Sequence, residues 1–513
     1  MPSEHQSQPP TAGVVGAGIA GLSAAVALRR AGLQVQVYER SRFKNEIGAA
    51  ITVPPNATVA LRRWGFDFEE ANAVPNERTR CAAAGDLSVI HESYYQDMEA
   101  QMGAPCLSFH RVDLHRGLRS LATEGNEGNS GAPGDGSGGN NTKGIPVSIC
   151  LGCEVRSVDC ENGILTLADG SKVQKDLVII ADGAHSTLLP DFLGRPAPAQ
   201  HTGRSIYRWL VATEDLMADP EASRPYRDQH EVPGFVSWSD AEKRILWVSY
   251  TCQGGALLSN AVVHETEDHS DDQSSSNNTN GPSDHGTPSV GAQPGRDNDD
   301  KWHTPASIGA VLNTLCNFHP DLRRIVLLGR EDGIRVHRLF KRPPLDSFVR
   351  GRTAIIGDAA HLMLPTHAAG CAIAIESASV LEVLFKDLEN DPIHSADGYG
   401  EEEGTEREDA GWEVLGSWRE RVIRGRLRLF DRLRVPRCNL TMLMSNAGPE
   451  GLRVPGVEQD IRKYYRGPLP AKHALPWSAE CRELLFHYDA FEAAKQALSD
   501  EKARNGATHD GRP

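Results

Sequence analysis

The chain has 513 residues, of which 39% are apolar, and its 54 Lys and Arg residues against 69 Asp and Glu give a formal net charge of −15. This length allows two or three domains with a large core. No apolar run approaches the roughly 20 residues of a membrane-spanning helix, and the short polar stretch before residue 11 does not resemble a secretory signal. We therefore expect a cytoplasmic protein with no transmembrane segment.

The negative charge is concentrated in two segments, residues 264–301 and 387–409, which together carry −16 and leave the rest of the chain close to neutral. This distribution argues against a nucleic-acid partner. Residues 124–144, 264–301 and 389–411 contain too little apolar surface to offset the entropy of ordering the chain. They are predicted to be mobile surface insertions.

Strand and helix patterns alternate along the chain, which is typical of an α/β fold. GVV, SAAVALRRAG and QVQVYE predict a strand, a helix and a strand, which form a compact βαβ unit over residues 13–39. Residues 203–252 are rich in β-branched and aromatic residues and predict an antiparallel sheet. KDLVIIADG and RTAIIGDAAHLMLP each predict a buried strand that ends in a turn, and CAIAIESASVLEVLFKDLE predicts a helix.

The junction of the first strand and the first helix carries a G-x-G-x-x-G motif formed by Gly16, Gly18 and Gly21. Gly16 permits a tight turn, Gly18 lets the backbone approach a pyrophosphate, and Gly21 lets the helix pack against the strand. The helix N-terminus offers free N–H groups to phosphates, and Glu39 is placed to accept hydrogen bonds from a ribose. The motif predicts a dinucleotide site without separating NAD from FAD. The alternative is a structural βαβ unit in which Glu39 is solvated.

Two later segments end a hydrophobic strand with an aspartate followed by small residues, LVIIADGAHST at 177–187 and IGDAAHLMLPTHAAGCAIAIE at 356–376. This arrangement presents Asp358 to a hydroxyl-rich chain and the N–H groups after Gly370 to the polar edge of a ring. Neither segment belongs to a simple NAD dehydrogenase.

With these motifs in place, the sequence resembles the class A flavoprotein aromatic hydroxylases, especially the salicylate hydroxylase-like monooxygenases of fungi and bacteria. The resemblance covers residues 11 to 385 and rests on five motifs in the family's order. These are GAGIAGLSAAVALRRAGLQVQVYER, the region from Gly48 through NATVALRRWG, FHRVDLHRGL around Arg111, Asp182-Gly183, and Gly357-Asp358 followed by Pro365 and Gly370. PWSAECRELLFHYDA also looks like the closing segment of this family.

The resemblance implies an α/β fold with three parts, a Rossmann-type FAD-binding domain, an antiparallel-sheet substrate domain and a helical C-terminal segment. The FAD-binding domain is expected to be discontinuous, over residues 11–80, 105–190 and 335–388. The substrate domain is expected over residues 81–104 and 191–334, with a disordered insertion at 264–301. The helical segment is expected over residues 412–513.

The resemblance also implies contacts with the cofactor, which begin at the glycine motif. That motif and Glu39 would hold the ADP part of FAD. The small stretch Gly48-Ala49-Ala50 would pass close to the flavin, and Arg111 in HRVDL would contact the cofactor.

Further cofactor contacts are implied at the two later motifs. Asp182 and Gly183 would lie at the site shared by FAD and the nicotinamide donor. Asp358 would bind the ribityl or pyrophosphate region. Gly370 and Cys371 would place backbone N–H groups near the flavin ring.

Two side chains are candidates for the catalytic site. Arg208, in SIYRWL, matches an arginine that sits in the substrate cavity of fungal members, where a guanidinium can hold a phenolate or a carboxylate. The alternative is an arginine in a surface ion pair. His367, beside Gly370, is placed to face the substrate over the flavin, and the alternative is a histidine that only hydrogen-bonds within its loop. His361 in GDAAH is expected to be structural.

The sequence departs from the family after Pro365. The family usually has Gln before the glycine and Asn two residues after it, where this chain has Ala369 and Ala372, and the later Glu-Asp pair is Glu376-Ser377. A tyrosine expected downstream of the cavity arginine is replaced near Ser237-Trp238. Because FAD contacts in this loop use backbone, FAD binding is expected to survive, whereas oxygen activation and substrate positioning are the steps that these changes affect.

The implied reaction is the hydroxylation of a phenolic or related aromatic small molecule, as in secondary-metabolite biosynthesis. NAD(P)H would reduce FAD, and dioxygen would then give a flavin hydroperoxide. Alternatives on the same fold are epoxidation, Baeyer-Villiger insertion and oxidative rearrangement. A different class is a flavin-binding scaffold without catalysis.

Two further patterns are given structural interpretations. Cys150-x-x-Cys153 has no second Cys/His pair at finger spacing, so no metal site is predicted, and the ten cysteines are expected to be reduced thiols. Residues 419–437 contain eight arginines among apolar residues. This pattern predicts a helix with one core-facing stripe and an arginine-rich outer face.

Overall fold

The computed structural model describes residues 8–43, 49–124, 145–226, 232–266, 303–388 and 418–509. Gly48 and most of the three predicted insertions lie outside these residues. One strand continues to Glu265, so the insertion predicted from residue 264 begins inside a strand. Along the described ranges, no helix combines the length and the apolar content needed to cross a bilayer.

The strands of the described ranges form four sheets. In chain order they are β1 (Thr11–Val15), β2 (Gln34–Glu39), β3 (Ala50–Val53), β4 (Val74–Pro75), β5 (Arg78–Ala83), β6 (Val89–Tyr94), β7 (Leu107–His110), β8 (Ser148–Leu151), β9 (Val155–Asp159), β10 (Ile164–Leu167), β11 (Lys172–Gln174), β12 (Leu177–Ile180), β13 (Gln200–Ala212), β14 (Gly234–Asp240), β15 (Ile245–Cys252), β16 (Leu257–Glu265), β17 (His303–Pro305), β18 (Arg335–Lys341), β19 (Val349–Arg350) and β20 (Thr353–Ile355).

The helices of the same ranges lie mainly around the first sheet and in the C-terminal segment. In chain order they are α1 (Ile19–Arg30), α2 (Pro55–Trp64), α3 (Met98–Met102), α4 (Arg111–Thr123), α5 (Leu189–Leu193), α6 (Thr213–Ala218), α7 (Ile308–Thr314), α8 (Pro320–Leu327), α9 (Asp358–His361), α10 (Gly370–Phe385), α11 (Trp418–Asn446), α12 (Val457–Tyr464), α13 (Ala479–Phe486) and α14 (Ala490–His509).

The first sheet has the strand order β19-β20-β12-β1-β2-β8. The pairings between β20, β12, β1, β2 and β8 are parallel, and β19 adds an antiparallel edge. All four residues of β12 are buried, as expected of a strand covered on both faces. The βαβ unit predicted over residues 13–39 is confirmed as β1, α1 and β2.

The second sheet has the strand order β17-β18-β13-β16-β15-β14-β5-β6, and its pairings are antiparallel except between β14 and β5. One face carries Trp209, Trp238 and Trp247, whose rings contact one another in a core that includes residues of α7 and α8. Side chains alternate between faces along a strand, so the neighbours of these tryptophans point to the opposite face. The antiparallel sheet predicted from residues 203–252 is confirmed.

Two of the predicted domain limits differ from the sheet topology. β18 pairs with β13 in the second sheet, although the sequence assigned residues from 335 onward to the FAD-binding domain. β5 begins at Arg78, before the limit predicted at residue 81. The other limits stay predictions. Two small sheets, β11-β10-β9 and β3-β7-β4, complete the pairing of the described strands.

The arginine-rich helix α11 differs from its prediction. Arg426, Arg434 and Arg437 are 8%, 0% and 7% exposed, so arginines also occupy the core-facing side of this helix. Arginine is seldom buried unless it is paired. The predicted helix and its core-facing apolar stripe are present, but not every arginine lies on the outer face, because the acid that pairs with Arg434 and Arg437 lies on another helix, far away in sequence.

Glu376 on α10 is that acid, and it pairs with two buried arginines. Its two carboxylate oxygens each lie 2.8 Å from a guanidinium nitrogen, Oε2 from Arg434 and Oε1 from Arg437. Asn56 of α2 also donates to Oε1 at 2.6 Å, and Arg437 donates to two backbone carbonyls at the end of α13. Burial alone would raise the pKa of Glu376, but the arginine charges outweigh it and hold the pKa below its usual value.

We expect Glu376→Gln to destabilise the protein by about 3–5 kcal/mol, because it leaves two buried guanidinium groups without their counter-charge. The midpoint of urea unfolding measures this loss. The matched control is Glu501→Gln, which removes the partner of Arg432 from an exposed pair with an N–O distance of 2.9 Å. That variant should lose less than about 1 kcal/mol.

The pH dependence of the same loss separates charge from packing. Because the folded pKa of Glu376 is lowered, its contribution to stability is complete above its usual value of 4.5 and is lost as the pH falls through the folded value. The difference in urea midpoint between the parent and Glu376→Gln should therefore narrow below this range. A difference that stays constant with pH would contradict the charge pairing.

Candidate active site

The carboxyl ends of three parallel strands meet at one edge of the first sheet. A Cβ placed on Gly16, after β1, would lie 2.5 Å from the carbonyl oxygen of Ala181, after β12. A Cβ placed on Gly357, after β20, would lie 2.7 Å from Cβ of Ala20 in α1. Ligands of open α/β sheets bind at this edge, where adjacent strands end. The two later motifs of the sequence therefore lie beside the glycine motif.

The glycine motif has the backbone geometry that a phosphate site needs. Gly16 has φ +97, in the region that favours glycine, and a Cβ on Gly21 would lie 1.9 Å from the carbonyl oxygen of Gly16. A Cβ on Gly18 would meet no atom within 4 Å, so this side of the loop is open. Gly18 is the N-cap of α1 and brings no side chain to the first helical N–H groups. An anion is therefore able to approach these groups directly.

Glu39 lies at the end of β2, next to this loop. Its Oε2 accepts a hydrogen bond from the backbone N–H of Ala17 at 2.7 Å, and its Oε1 accepts one from the N–H of Ser41 at 2.7 Å. A carboxylate has further lone pairs for a ribose hydroxyl. In this structure Glu39 also holds the glycine loop in place.

His115 of α4 contacts the glycine loop, and the sequence analysis did not identify it. It is 7% exposed, and its Nε2 lies 2.8 Å from the carbonyl oxygen of Ala17. The ring of Phe43 contacts it edge to face at 5.0 Å. The sequence signal is the FHRVDLHRGL motif, which contains His115 as well as Arg111.

Asp182 and Gly183 follow β12 and face the glycine loop. Asp182 accepts a hydrogen bond from the N–H of Thr187 at 3.1 Å through Oδ2, whereas its Oδ1 is buried and has no hydrogen-bond partner among the described residues. Burial raises the pKa of this carboxyl. Gly183 has φ +82 and open space at its Cβ position. An unsatisfied buried oxygen at this edge is suited to a hydroxyl or N–H donor of a ligand.

Arg342 connects the second and third motifs and was not predicted. It is 7% exposed and donates to the carbonyl oxygens of Ala184 at 2.8 Å and Asp358 at 3.4 Å. Burial lowers its pKa, and the nearby carboxylates of Asp182 and Asp358 act in the opposite direction. One guanidinium thus fixes two loops that the sequence places far apart.

The third motif places Asp358 at the start of α9 and Gly370 at the start of α10. A Cβ placed on Gly370 would lie 4.0 Å from Oδ1 of Asp358, so the aspartate lies beside the N-terminus of a 16-residue helix. No side chain caps this helix. Burial raises the pKa of the Cys371 thiol to about 12, so the thiol stays neutral and the backbone N–H groups are the polar feature of this turn.

Arg111, Ala49 and Ala50 lie on the other side of this turn. The N–H of Arg111 donates to the carbonyl oxygen of Ala49 at 2.8 Å, and Ala50 begins β3. The Arg111 side chain is exposed, and its charge acts on Asp358 and Cys371. The structure therefore brings together all the predicted cofactor residues that lie within its described ranges.

Arg208 lies on the face of the second sheet opposite the tryptophan core. It is partly buried, its Nε is inaccessible to solvent, and that nitrogen has no hydrogen-bond partner among the described residues. Burial lowers its pKa, Tyr250 acts in the opposite direction, and the positive charge of Arg111 lowers it further. The alternative of a surface ion pair is not supported, because no carboxylate acts on this guanidinium in the described part of the chain.

Tyr250 shares this face and is a second residue that sequence reasoning missed. Register places Arg208 opposite Ala261 and Ala261 opposite Val248, so Tyr250, two residues further along β15, points to the same side. Burial raises the pKa of Tyr250 to about 12, and the charge of Arg208 acts against this. Tyr250 also packs in a cluster with Ala368 of the loop before α10. Tyr250 thus places a phenol on β15, the strand that pairs with the one carrying Ser237.

The structure does not support His367 as a residue that faces the substrate. It is 2% exposed, its Nδ1 lies 3.4 Å from the hydroxyl of Ser445 on α11, and burial lowers its pKa to about 4. A group directed at an open cleft would retain exposed surface, so we interpret His367 as structural. His361 is likewise buried, and burial together with the charge of Arg434 lowers its pKa to about 4.

This geometry defines a dinucleotide site of the two-sheet flavoprotein type. Comparisons with known proteins agree with it. Residues 14–50 match the model of the NAD(P)-binding Rossmann-like domain. The FAD-dependent monooxygenase phomE' of Diaporthe leptostromiformis is 26% identical over 476 residues, 93% of this chain and 100% of that protein. Hispidin-3-hydroxylase of Neonothopanus nambi is 29% identical over 380 residues, 72% of this chain and 79% of that protein.

Solved structures share the fold. A salicylate hydroxylase in a substrate complex aligns with a TM-score of 0.63 at 22% identity, covering 95% of this chain and 98% of that one. CtdE in complex with FAD and a substrate aligns with a TM-score of 0.63 at 18% identity, covering 96% and 98%. These neighbours confirm the predicted fold class, and along most of its length the chain is similar to proteins named as FAD-dependent monooxygenases.

We expect Gly18→Ala and Gly21→Ala to fail in different ways. Gly18→Ala has room for its methyl group, so the protein should fold with its urea midpoint unchanged but bind FAD about tenfold or more weakly, because the methyl group stands where a pyrophosphate approaches. Gly21→Ala places Cβ 1.9 Å from a backbone oxygen and should lower stability itself. Flavin fluorescence titration and urea unfolding measure the two effects. Equal FAD affinity of the parent and Gly18→Ala would contradict the assignment of the pyrophosphate site.

Proposed function

We propose that the chain is a monooxygenase that uses FAD, NAD(P)H and dioxygen to hydroxylate a phenolic or related aromatic small molecule. The observation that carries this proposal is the partly buried guanidinium of Arg208, on which no carboxylate of the described residues acts and which lies close enough to Arg111 to feel its charge. The named relatives, among them a hydroxylase of fungal origin, support a place in secondary-metabolite biosynthesis. A cytoplasmic location stays a prediction from the sequence.

The residues at the strand ends fit FAD. The open side of Gly18 and the uncapped start of α1 suit a pyrophosphate, Glu39 suits the ribose, and the unsatisfied Oδ1 of Asp182 suits a donor of the ligand. Asp358 suits the ribityl hydroxyls, and the N–H groups at the start of α10 suit the polar edge of the flavin ring. FAD held by these residues would supply the redox chemistry, accepting a hydride from NAD(P)H and activating dioxygen, with one oxygen atom going to the aromatic ring and the other to water.

Arg208 selects for an anionic or phenolic group on the substrate. Burying a guanidinium without a partner is costly, and its free Nε–H is a donor that a phenolate or carboxylate oxygen satisfies. The positive charge of Arg111 lies close enough to lower the pKa of Arg208, so an anion between them relieves repulsion as well as desolvation. The substrate ring would then lie along the sheet face, toward Tyr250.

Tyr250 stays protonated near neutral pH, because burial holds its pKa near 12. It is therefore able to donate a hydrogen bond from its hydroxyl and to present an apolar ring at the same time. Together with the apolar cluster around it, this side chain would exclude water from the reacting ring. The chain's own contribution is thus orientation, charge complementarity and a dry cavity.

The proposal is tested with purified protein in three measurements. Bound oxidised flavin gives absorbance bands near roughly 370 and 450 nm. Phenols should stimulate NAD(P)H oxidation under air, and the product should gain one oxygen atom by mass, with NMR to separate hydroxylation from epoxidation, ring insertion or rearrangement. Protein that binds FAD but oxidises NAD(P)H at the same rate with and without every phenol tested would favour a flavin-binding scaffold.

We expect Arg208→Ala to lower kcat/KM for a phenol about 10²-fold while FAD content stays at one per chain, because the lost donor contacts substrate and not cofactor. Arg208→Lys should recover part of this loss, since it restores the charge without the planar fork. The matched control is Arg324→Ala on α8, which packs on the tryptophan face of the sheet; Arg324 is paired with Asp219 at 2.6 Å, and its loss should leave kcat/KM unchanged. Loss of FAD from Arg208→Ala would instead make the residue structural.

A further inference from the structure

Trp477 occupies a turn position that its side chain disfavours. The N–H of Ser478 donates to the carbonyl oxygen of Leu475 at 3.1 Å, which closes a four-residue turn with Pro476 second and Trp477 third. Trp477 has φ +68, as the third residue of a type II turn requires. Glycine or asparagine normally fills this position, and for a bulky side chain such a φ is a genuine outlier. A strained residue of this kind persists only where the surrounding structure holds it.

The strained backbone of Trp477 places its indole among other aromatic side chains. The side chain is 7% exposed and contacts three aromatic rings, Tyr95 at 6.2 Å, Phe235 at 4.6 Å and Phe486 at 5.0 Å. Tyr95 and Phe235 belong to the second sheet and its adjoining loop, whereas Phe486 belongs to α13. The ring therefore joins the C-terminal segment to the sheet.

The ring also lies next to the face that the proposed function assigns to the substrate. Phe235 pairs across the strands with Tyr250, and their rings meet edge to face at 5.0 Å. Tyr250 in turn lies on the same face as Arg208, close enough for the guanidinium charge to act on the pKa of its hydroxyl. Ala368, in the loop before α10, packs against the same aromatic cluster. The order along this face is thus Arg208, Tyr250, Phe235 and Trp477. At the far end Arg482 donates a hydrogen bond to the carbonyl oxygen of Trp477 and lies 4.7 Å from the centre of the Tyr95 ring.

We infer that Trp477 is a positioning residue for substrate specificity: by packing against Phe235, and through it on Tyr250, it sets the length of aromatic substrate that the chain accepts. This inference rests on the proposed function. Because Trp477 is buried behind Phe235, it acts as a positioning residue, holding Phe235 and Tyr250 where they orient the substrate ring. A ring with an anionic group at Arg208 and a short apolar substituent toward Phe235 fits this arrangement.

Because Trp477 has positive φ, its side chain can be removed without straining the backbone of the turn. Trp477→Gly removes the indole and replaces it with a residue that readily adopts φ > 0. The turn should therefore survive, while the contact between the indole and Phe235 is lost. Trp477→Phe keeps an aromatic ring of smaller size at the same strained position. The matched control is Trp238→Phe, which changes a buried tryptophan of β14 on the opposite face of the sheet.

The experiment uses the holoenzyme and a series of para-alkyl phenols of increasing chain length. Binding is titrated by the change in flavin absorbance, and kcat and KM are measured where turnover occurs. For the shortest phenol, Trp477→Gly should raise KM about tenfold or more with a smaller change in kcat, and its preference should move to longer phenols. Trp477→Phe should lie between this variant and the parent. Trp238→Phe should keep the parent's order of preference.

FAD content and urea midpoint are recorded for every variant. An unchanged order of phenol affinities in Trp477→Gly, with only a lower urea midpoint, would overturn the inference and leave Trp477 a structural residue. Binding decides the matter even where turnover is slow. A parent protein that holds FAD but binds no phenol would overturn the proposed function itself, and the inference with it.

Discussion

The structure depends on one constraint, that parallel strands β20, β12 and β1 end at the same edge of one sheet. Three loops from distant parts of the chain must then share a space in which a single Cβ is too large at Gly16 or Gly357. Glycine is required there by these close contacts and by the positive φ of both residues, +97 at Gly16 and +64 at Gly357. The same crowding brings two helix N-termini and two aspartates to one place, which is the chemistry that an extended dinucleotide needs.

Arginine serves two opposite purposes around this edge. Arg434 and Arg437 are buried with a counter-charge, Glu376, and stabilise the packing of α10 against the C-terminal helices. Arg208 is partly buried, and no carboxylate in the described ranges acts as its counter-charge. A chain that neutralises some buried guanidinium groups and leaves another unpaired is not optimising stability at that position. The unpaired charge is intelligible if a substrate anion completes it, because only then is its desolvation offset.

Local patterns predicted the first sheet and the glycine motif because their causes are local. The spacing of Gly16, Gly18 and Gly21 reflects one turn and one helix. Other features depend on partners that no window of sequence contains. The burial of Arg434 depends on Glu376, 58 residues earlier. The position of Tyr250 depends on the register of three strands, and that of Arg342 on two loops brought together by folding. His367 misled for the same reason, since its neighbour in sequence is Gly370 but its neighbour in space is Ser445.

The C-terminal segment is held at both ends of α13 by groups that also belong to the site. Before its first turn, Trp477 packs on the sheet face that carries Tyr250, and in its last turn two backbone carbonyls accept hydrogen bonds from Arg437. Arg437 binds Glu376, on the helix whose N-terminus faces the proposed flavin position. The segment is therefore connected to both the substrate face and the cofactor helix. This short helix is therefore an integral part of the fold around the proposed site, because loosening either end would move side chains that the other end positions.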